Sequence, residues 1–534
     1  MGFGLFTGCL PPTMNQGEYE AKWVAMPEFN VVSGTYRYDT AVVISTPTAG
    51  ASIHYTTDGS APTQASATYS GPVVVSGSGT SKTIRVVATK SGLFDSPEAL
   101  VSLTVDAAAS VLARWAQVPG APSYTYPAYQ CIVGNSDGSM VAGGSVNMSY
   151  YQTITFGEGI SVGDGVHNSY TFLVKYDRMG KALWVTTFPG SLPQDDYSLR
   201  FQGLARGAGG TVVFTARNSK GSNYVGKADG RGKLLWMKEF KQPGNSLSFN
   251  AVTTDSADNS YVVGSLSGTG TYIFDAQSIH GLYNGGNLLV LKFSSLGTVL
   301  WAKTVSGSSS ATSTGLTAVA VDNAGAALYA VGNFGGGTGS FGLDAASPLT
   351  VPVNDALGGG LVIRFDFDGL AQWGRTTTGS YYSAAFLSVA AGNSRVFVGG
   401  HVSGSSSPVM NLGSVAVNLT SYDSAVIVGL DSSGTGQWGQ SWTTSSSFNP
   451  AVSVDGHGNA LALAPDKMVQ YTVAGVSTTI VTSPPYFLFD GMATDPGNGI
   501  AVLAHLGATS PISLGNGITV QGKSSPAPLV VKYE

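Results

Sequence analysis

From residue 111 to the end of the chain one compound pattern recurs seven times, and a repeat of this kind excludes most folds at once. Its first half is a polar turn followed by an apolar strand that ends in small residues: NSDGSMVAGGS (135–145), RGAGGTVVFTA (206–216), DSADNSYVVGS (255–265), DNAGAALYAVGN (322–333), AGNSRVFVGGH (391–401), DGHGNALALAP (455–465) and DPGNGIAVLAH (495–505). Its second half is a strand–turn–strand hairpin, as in FLVKYDRMGKALWVTTF (172–188), LVLKFSSLGTVLWAKTV (289–305) and LVIRFDFDGLAQWGRTT (361–377). The last copy, LVVKYE (529–534), stops after one strand, whereas VLARWAQV (111–118) has the form of a returning strand with nothing before it.

Those two halves complete each other. A period of roughly 65 residues with four strands per unit fits a propeller blade. A ring of blades is stable only if the last is joined to the first, so the spacing predicts seven blades closed by pairing of 111–118 with 529–534, which also removes two exposed sheet edges. Trp115, Trp184, Trp236, Trp301, Trp373 and Trp438 share one phase and are expected to pack between blades. The sixth copy lacks this tryptophan and has Ile480 and Val481 nearby. Phe-Gly or Leu-Gly hairpins such as TFGEGISVGDG (155–165) and NLGSVAVNLTS (411–421) fall between the second and third strands of a blade and are expected to enlarge one face of the disc. The repeat resembles the bacterial seven-bladed beta-propeller repeat family through its LVKYD-x-x-G-x-x-x-W hairpin, best preserved at 172–184 and 289–301, and through DSADNSYVVGS; the resemblance implies the fold and no specific activity.

Residues 27–106 are different. Short apolar runs, AVVIST (41–46), SIHYTT (52–57), PVVVSG (72–77), TIRVVAT (83–89) and ALVSLTV (99–105), are bounded by turn residues and predict a small antiparallel sandwich. The series Tyr55-Thr56-Thr57-Asp58-Gly59-Ser60, Pro62-Thr63, Tyr69, Gly71-Pro72 and TIRVVATKSG resembles the chitobiase/β-hexosaminidase C-terminal-type domain, a fibronectin-like accessory module. Tyr55, Tyr69 and Asp58 could form a glycan-stacking surface; the simpler expectation is that the tyrosines fill the sandwich and Asp58 caps a turn. The predicted organisation is therefore all-β: a tether at 1–26, the sandwich at 27–106 and the propeller at 111–534.

The first residues, MGFGLFTGC, set small residues before Cys9 and apolar Leu5 and Phe6 before those, which resembles the end of a lipoprotein signal; Cys9 is the candidate lipidation site, against an unmodified N-terminus. Charged residues make up 11% of the chain and the net charge is −5, so no basic stripe is present for nucleic acid. No apolar run is long enough to span a membrane as a helix, leaving a lipid anchor as the only expected membrane link. Cys9 and Cys131 cannot build a disulfide framework.

Chemistry is sparse. His54, His167, His280, His401, His457 and His505 are far apart, with no zinc spacing; His401, His457 and His505 occupy comparable positions of blades 5, 6 and 7 and could converge on one face. Asp137, Asp255, Asp322, Asp455 and Asp495 recur at the turns, where Asp before Gly or Asn is favoured by turn geometry; calcium contact or a catalytic pair are the alternatives. No nucleophile elbow, phosphate loop or dinucleotide fingerprint occurs in a strand–helix context. No catalytic residue, metal or cofactor is therefore assigned. The expected function is a non-catalytic, secreted or surface-attached bacterial binding or scaffold protein, monomeric, with a protein or glycan ligand; the alternatives are a glycosidase or lyase with the sandwich as accessory module, and a structural envelope component.

Overall fold

The computed structural model describes residues 23–534 except 32, 37–38, 107–110, 122–124, 149–151, 158, 164–168, 189–198, 242–245, 306–312, 336, 345–346, 356–357, 405–407, 445–449, 485–486, 496–497, 508–509 and 522–526. Cys9, His167 and residues 1–22 of the 1–26 tether lie outside the described residues. The chain divides into two compact units, 1–110 and 111–534.

In the first unit a five-stranded sheet runs in the order Gly34–Tyr36, Ala99–Val105, Ser81–Thr89, Ser52–Thr56 and Ala67–Thr68, the first pair parallel and the rest antiparallel. Two short pairs, Glu28–Phe29 with Ile44–Ser45 and Thr40–Val42 with Val73–Val75, supply facing strands. Period-two alternation in ALVSLTV buries Val101, Leu103 and Val105 against Val42, Ile44 and Val75.

Among the described residues the second unit contains seven antiparallel blades, six of them four-stranded sheets and one, blade 4, extended to six strands by the inserted hairpin of blade 5. Blade 1 is Thr125–Gly134, Met140–Met148, Ser169–Tyr176 and Ala182–Thr187; blades 2 to 6 follow in chain order. Blade 7 combines Phe487–Thr494, Ile500–Leu506 and Ala527–Tyr533 with Ala113–Gln117 from the start of the unit. The closing register pairs Ala113 with Tyr533, Trp115 with Lys532 and Gln117 with Val530, as the orphaned strand in the sequence predicted. Leu112 and Glu534 extend it with reciprocal backbone hydrogen bonds of 3.0 and 3.1 Å. The first strand of each blade packs on the first strand of the next, and Phe487–Thr494 of blade 7 packs on Thr125–Gly134 of blade 1, so the ring is sealed.

The topology fixes two ends. Turns joining strands 1 to 2 of every blade, and strands 3 to 4 of blades 1 to 6, share one end, called the turn end; connections from strand 2 to 3 and from blade to blade share the other, the loop end. First strands carry a bulge that interrupts their alternation, at Gln130, Asn250, Thr317, Leu387 and Asp490 among others. Several bulge side chains tie neighbouring blades: Asn250 Nδ2 donates to the Leu316 carbonyl at 2.7 Å and Thr317 Oγ1 to that of Phe386 at 2.6 Å.

The inserted hairpins correct one expectation. They pack along the outermost strands instead of extending a face, and in blades 1, 3, 5 and 7 their apolar residues plug the outer part of the seam toward the preceding blade. Tyr272 and Phe274 of the blade 3 hairpin are buried with Val225 and Phe240 of blade 2, and Asp275 at its tip pairs with Lys238 of blade 2 at 2.6 Å. Met410 and Leu412 of the blade 5 hairpin join the blade 4 core, and this hairpin pairs directly with the end of the outer strand of blade 4. Blades 2 and 6 have no insertion; aromatic groups fill their seams instead, Phe188, Phe201 and Phe214 in one and Trp438, Trp442 and Tyr471 in the other.

Candidate functional site

At the turn end a cavity of about 1020 Å³ occupies the middle of the ring, lined by backbone, by small apolar side chains such as Val133, Val252 and Val454, and by few charged groups, among them Lys175, Arg206 and Asp137. The recurrent aspartates stand here, and their oxygens serve the turns. Asp255 accepts from the Asn259 amide and side chain, both at 2.9 Å, and from the Tyr261 hydroxyl at 3.0 Å. Asp455 accepts from the His457 and Asn459 amides and from Gln470 Nε2 at 2.8 Å. Asp137 caps Ser139. Asp495 accepts the Gly499 amide at 2.9 Å and forms a buried pair with Lys532. Asp322 departs from this pattern: its turn is one residue longer before the tyrosine, and Asp322 Oδ2, Tyr329 Oη and Arg364 Nε are buried without hydrogen bonds among the described residues. Carboxylates engaged in this way hold turns and are poorly placed to exchange protons with a substrate.

The three histidines do not converge. His457 lies in the turn of blade 6 at the turn end, while His401 and His505 share one phase of the second strands of blades 5 and 7, toward the loop end. His505 Nδ1 is 2.8 Å from Asp490 Oδ2, at the bulge of the first strand of blade 7; that hydrogen bond raises its pKa above the ordinary imidazole value, against a smaller opposing effect of burial. His401 Nε2 is 3.7 Å from Asp423 Oδ1. Among the described residues no three His, Cys, Asp or Glu side chains gather at metal-binding distance. Cys131 is partly buried in the blade 1–2 seam, and burial pushes its thiol up to about 12, so it stays protonated and unreactive.

A cluster the sequence did not reveal lies at the loop end of blade 5. Tyr382 occupies a bulge between Tyr381 and Ser383, Tyr422 precedes the third strand, and the two rings are 6.0 Å apart, tilted by 47° and more than half exposed. Beside them Ser403 Oγ donates to Asp423 Oδ1 at 2.8 Å. The serine donates to the carboxylate and not to His401, so this is no nucleophilic triad.

In the sandwich, Tyr69 Oη accepts the Ile44 amide at 3.1 Å and its ring meets Tyr55 edge-on at 6.3 Å, both packed on the core. Asp58 accepts the Ser60 hydroxyl at 2.6 Å and amide at 3.0 Å, bonds that lower its pKa. These three residues build the domain.

No curated protein matches the chain. Among solved structures, a streptogramin B lyase is similar at 9% identity, covering 77% of this chain and 100% of that one with a TM-score of 0.36. A gluconolactonase from Xanthomonas campestris is similar at 9% identity, with 79% and 89% coverage and a TM-score of 0.31. A rhamnogalacturonan lyase is similar at 12% identity, with 93% and 90% coverage and a TM-score of 0.34. Residues 31–101 match the chitobiase/beta-hexosaminidase C-terminal domain, so the first unit of this chain carries a domain of that type.

Proposed function

We propose that the protein is a non-catalytic binding protein of the bacterial cell envelope or exterior, in which the propeller holds a protein or glycan at its loop end and the sandwich serves as an accessory module. The observation that carries this reading is the contrast between the ends of the ring. Most carboxylates of the turn end are consumed by turn hydrogen bonds, whereas the loop end exposes Tyr382 and Tyr422 beside Asp423. Rigid exposed aromatics flanked by a few polar groups suit recognition. The repeat's resemblance to a bacterial propeller family agrees with an extracellular setting. Arrays of glycans and of cell-surface proteins probed with the full chain test it; retention of no ligand on either array removes the reading and favours a structural envelope role.

Lipidation of Cys9 belongs to the same proposal, supported by the small residues before it. Labelling with a palmitate analogue that is lost in Cys9→Ala supports the anchor; an unlabelled, soluble protein removes it.

The chitobiase-type domain favours a second reading, a glycosidase or lyase. Release of reducing ends, or of unsaturated products absorbing in the ultraviolet, from a polysaccharide panel would replace the binding reading.

A further inference from the structure

We propose that blade 5 carries a subsite for a neutral oligosaccharide, with Tyr382 and Tyr422 as the stacking platform and Asp423 as the hydroxyl acceptor. This rests on the binding reading above and names its ligand class and its residues.

Three observations converge. The first is register. Ser383 pairs with Ser403 and Ser403 with Asp423 across the first three strands, and the Gly404 amide donates to the Tyr422 carbonyl at 2.6 Å. Residues far apart in sequence are thereby fixed at one level of the loop end. The second is how the rings are held. A bulge turns Tyr382 out of the ladder, and the turn before strand 3, closed by the Ser421 amide on Ser424 Oγ at 3.2 Å, sets Tyr422. Tyr382 and Tyr422 are 56% and 61% exposed, although large aromatic side chains are ordinarily withdrawn from water. Two neighbouring rings left in solvent, their planes tilted by 47°, offer apolar faces to the C–H face of a sugar ring, and holding tyrosine still costs little rotamer entropy. The third is the polar partner. Asp423 Oδ1 accepts from Ser403, while Oδ2 accepts from no described residue and the side chain is 30% exposed, so a ligand hydroxyl can donate to it in a charge-assisted hydrogen bond. His401 Nε2 lies 3.7 Å from the same Oδ1. The carboxylate and the net charge of −5 disfavour uronic-acid polymers, which selects neutral chains.

The test uses the full chain with cellohexaose, chitohexaose, mannohexaose and maltohexaose as neutral probes and polygalacturonate as the anionic one, measured by calorimetry. At least one neutral probe should bind and the polygalacturonate should not. Tyr382→Ala and Tyr422→Ala should each weaken that binding about 10-fold or more, Asp423→Asn by a similar factor, and Tyr382→Phe should hold it within about 3-fold. If an alanine variant misfolds by circular dichroism, Asp423→Asn, which keeps the shape of the side chain, carries the test. Neutral binding that none of these substitutions alters overturns the subsite and leaves the general binding reading standing. Binding of a protein ligand with no glycan bound does the same. Retention of neither class removes both.

Discussion

Trp236 donates its indole N–H to the carbonyl of Ser295 in the next blade, 3.1 Å away, and its ring covers Gly297. The same contact recurs from Trp115 to Arg178, Trp184 to Gly230, Trp301 to Phe367, Trp373 to Ser432 and Trp438 to Val473. Each tryptophan thus staples its blade to the following strand 3–4 turn. Gly297 has φ +84, and a Cβ there would lie 2.7 Å from the Trp236 ring. Gly297→Ala should cost about 2–4 kcal/mol, left-handed strain plus overlap. Gly209→Ala, also left-handed at φ +62 but in open space, should cost only about 1–2 kcal/mol. Urea unfolding of both variants measures the difference; equal losses would show that the staple contributes nothing.

Only blade 6 lacks the tryptophan, and the next blade explains why. Blade 7 has no strand 3–4 turn, because its third strand ends near Glu534 and its fourth begins near Val111. No turn carbonyl or glycine awaits an indole there. Thr478→Trp, which restores the pattern in register, should leave stability within about 0.5 kcal/mol of the parent or lower it, whereas Trp373→Phe should cost about 1–2 kcal/mol through its lost hydrogen bond. Matched melting curves decide it, and a clear gain from Thr478→Trp would refute this account of the gap.

The repeat and its closure were legible because turn chemistry and tryptophan phase are local, and an unmatched returning strand has one partner available. Innermost strands such as Arg200–Arg206 were hard to read, since one side meets the central channel and a bulge breaks their alternation. The hairpins were recognisable as hairpins, but their course along the outermost strands depends on seams that only tertiary packing creates. In blade 6 the bulge moves to between Met468 and Val469, so Thr478, opposite Gln470, and not Ile480 or Val481, takes the position that elsewhere belongs to tryptophan. The Tyr382–Tyr422 platform was invisible for a related reason: a bulge and a cross-strand register bring the rings together.

His505 and Asp490 predict a pH dependence. The hydrogen bond to Asp490 raises the folded-state pKa of His505 above 6.5. The pair therefore stabilises fully below 6.5, and its contribution is lost as pH rises through the raised folded value. Partial exposure keeps the effect below about 1 kcal/mol. The stability gap between wild type and Asp490→Asn should be present near pH 5.5 and closed by pH 8; a gap that does not change with pH would contradict the pairing.

The closing strand also holds a buried charge. Lys532 is fully buried, pairs with Asp495 and lies 4.0 Å from Glu534 Oε1. It sits in register between Trp115 and Ala501, so the ion pair joins the last strand to the turn preceding strand 2 of the same blade. Lys532→Met would leave the Asp495 carboxylate in a low-dielectric setting without its counter-charge, at a cost of about 3–5 kcal/mol. Asp495→Asn in that background removes the stranded charge and keeps an acceptor for the Gly499 amide, so the double variant should recover at least half of the loss. Urea midpoints of the two single variants and the double variant complete the cycle. Additive losses would show that Lys532 and Asp495 act independently, and that closure relies on the backbone ladder and apolar packing alone.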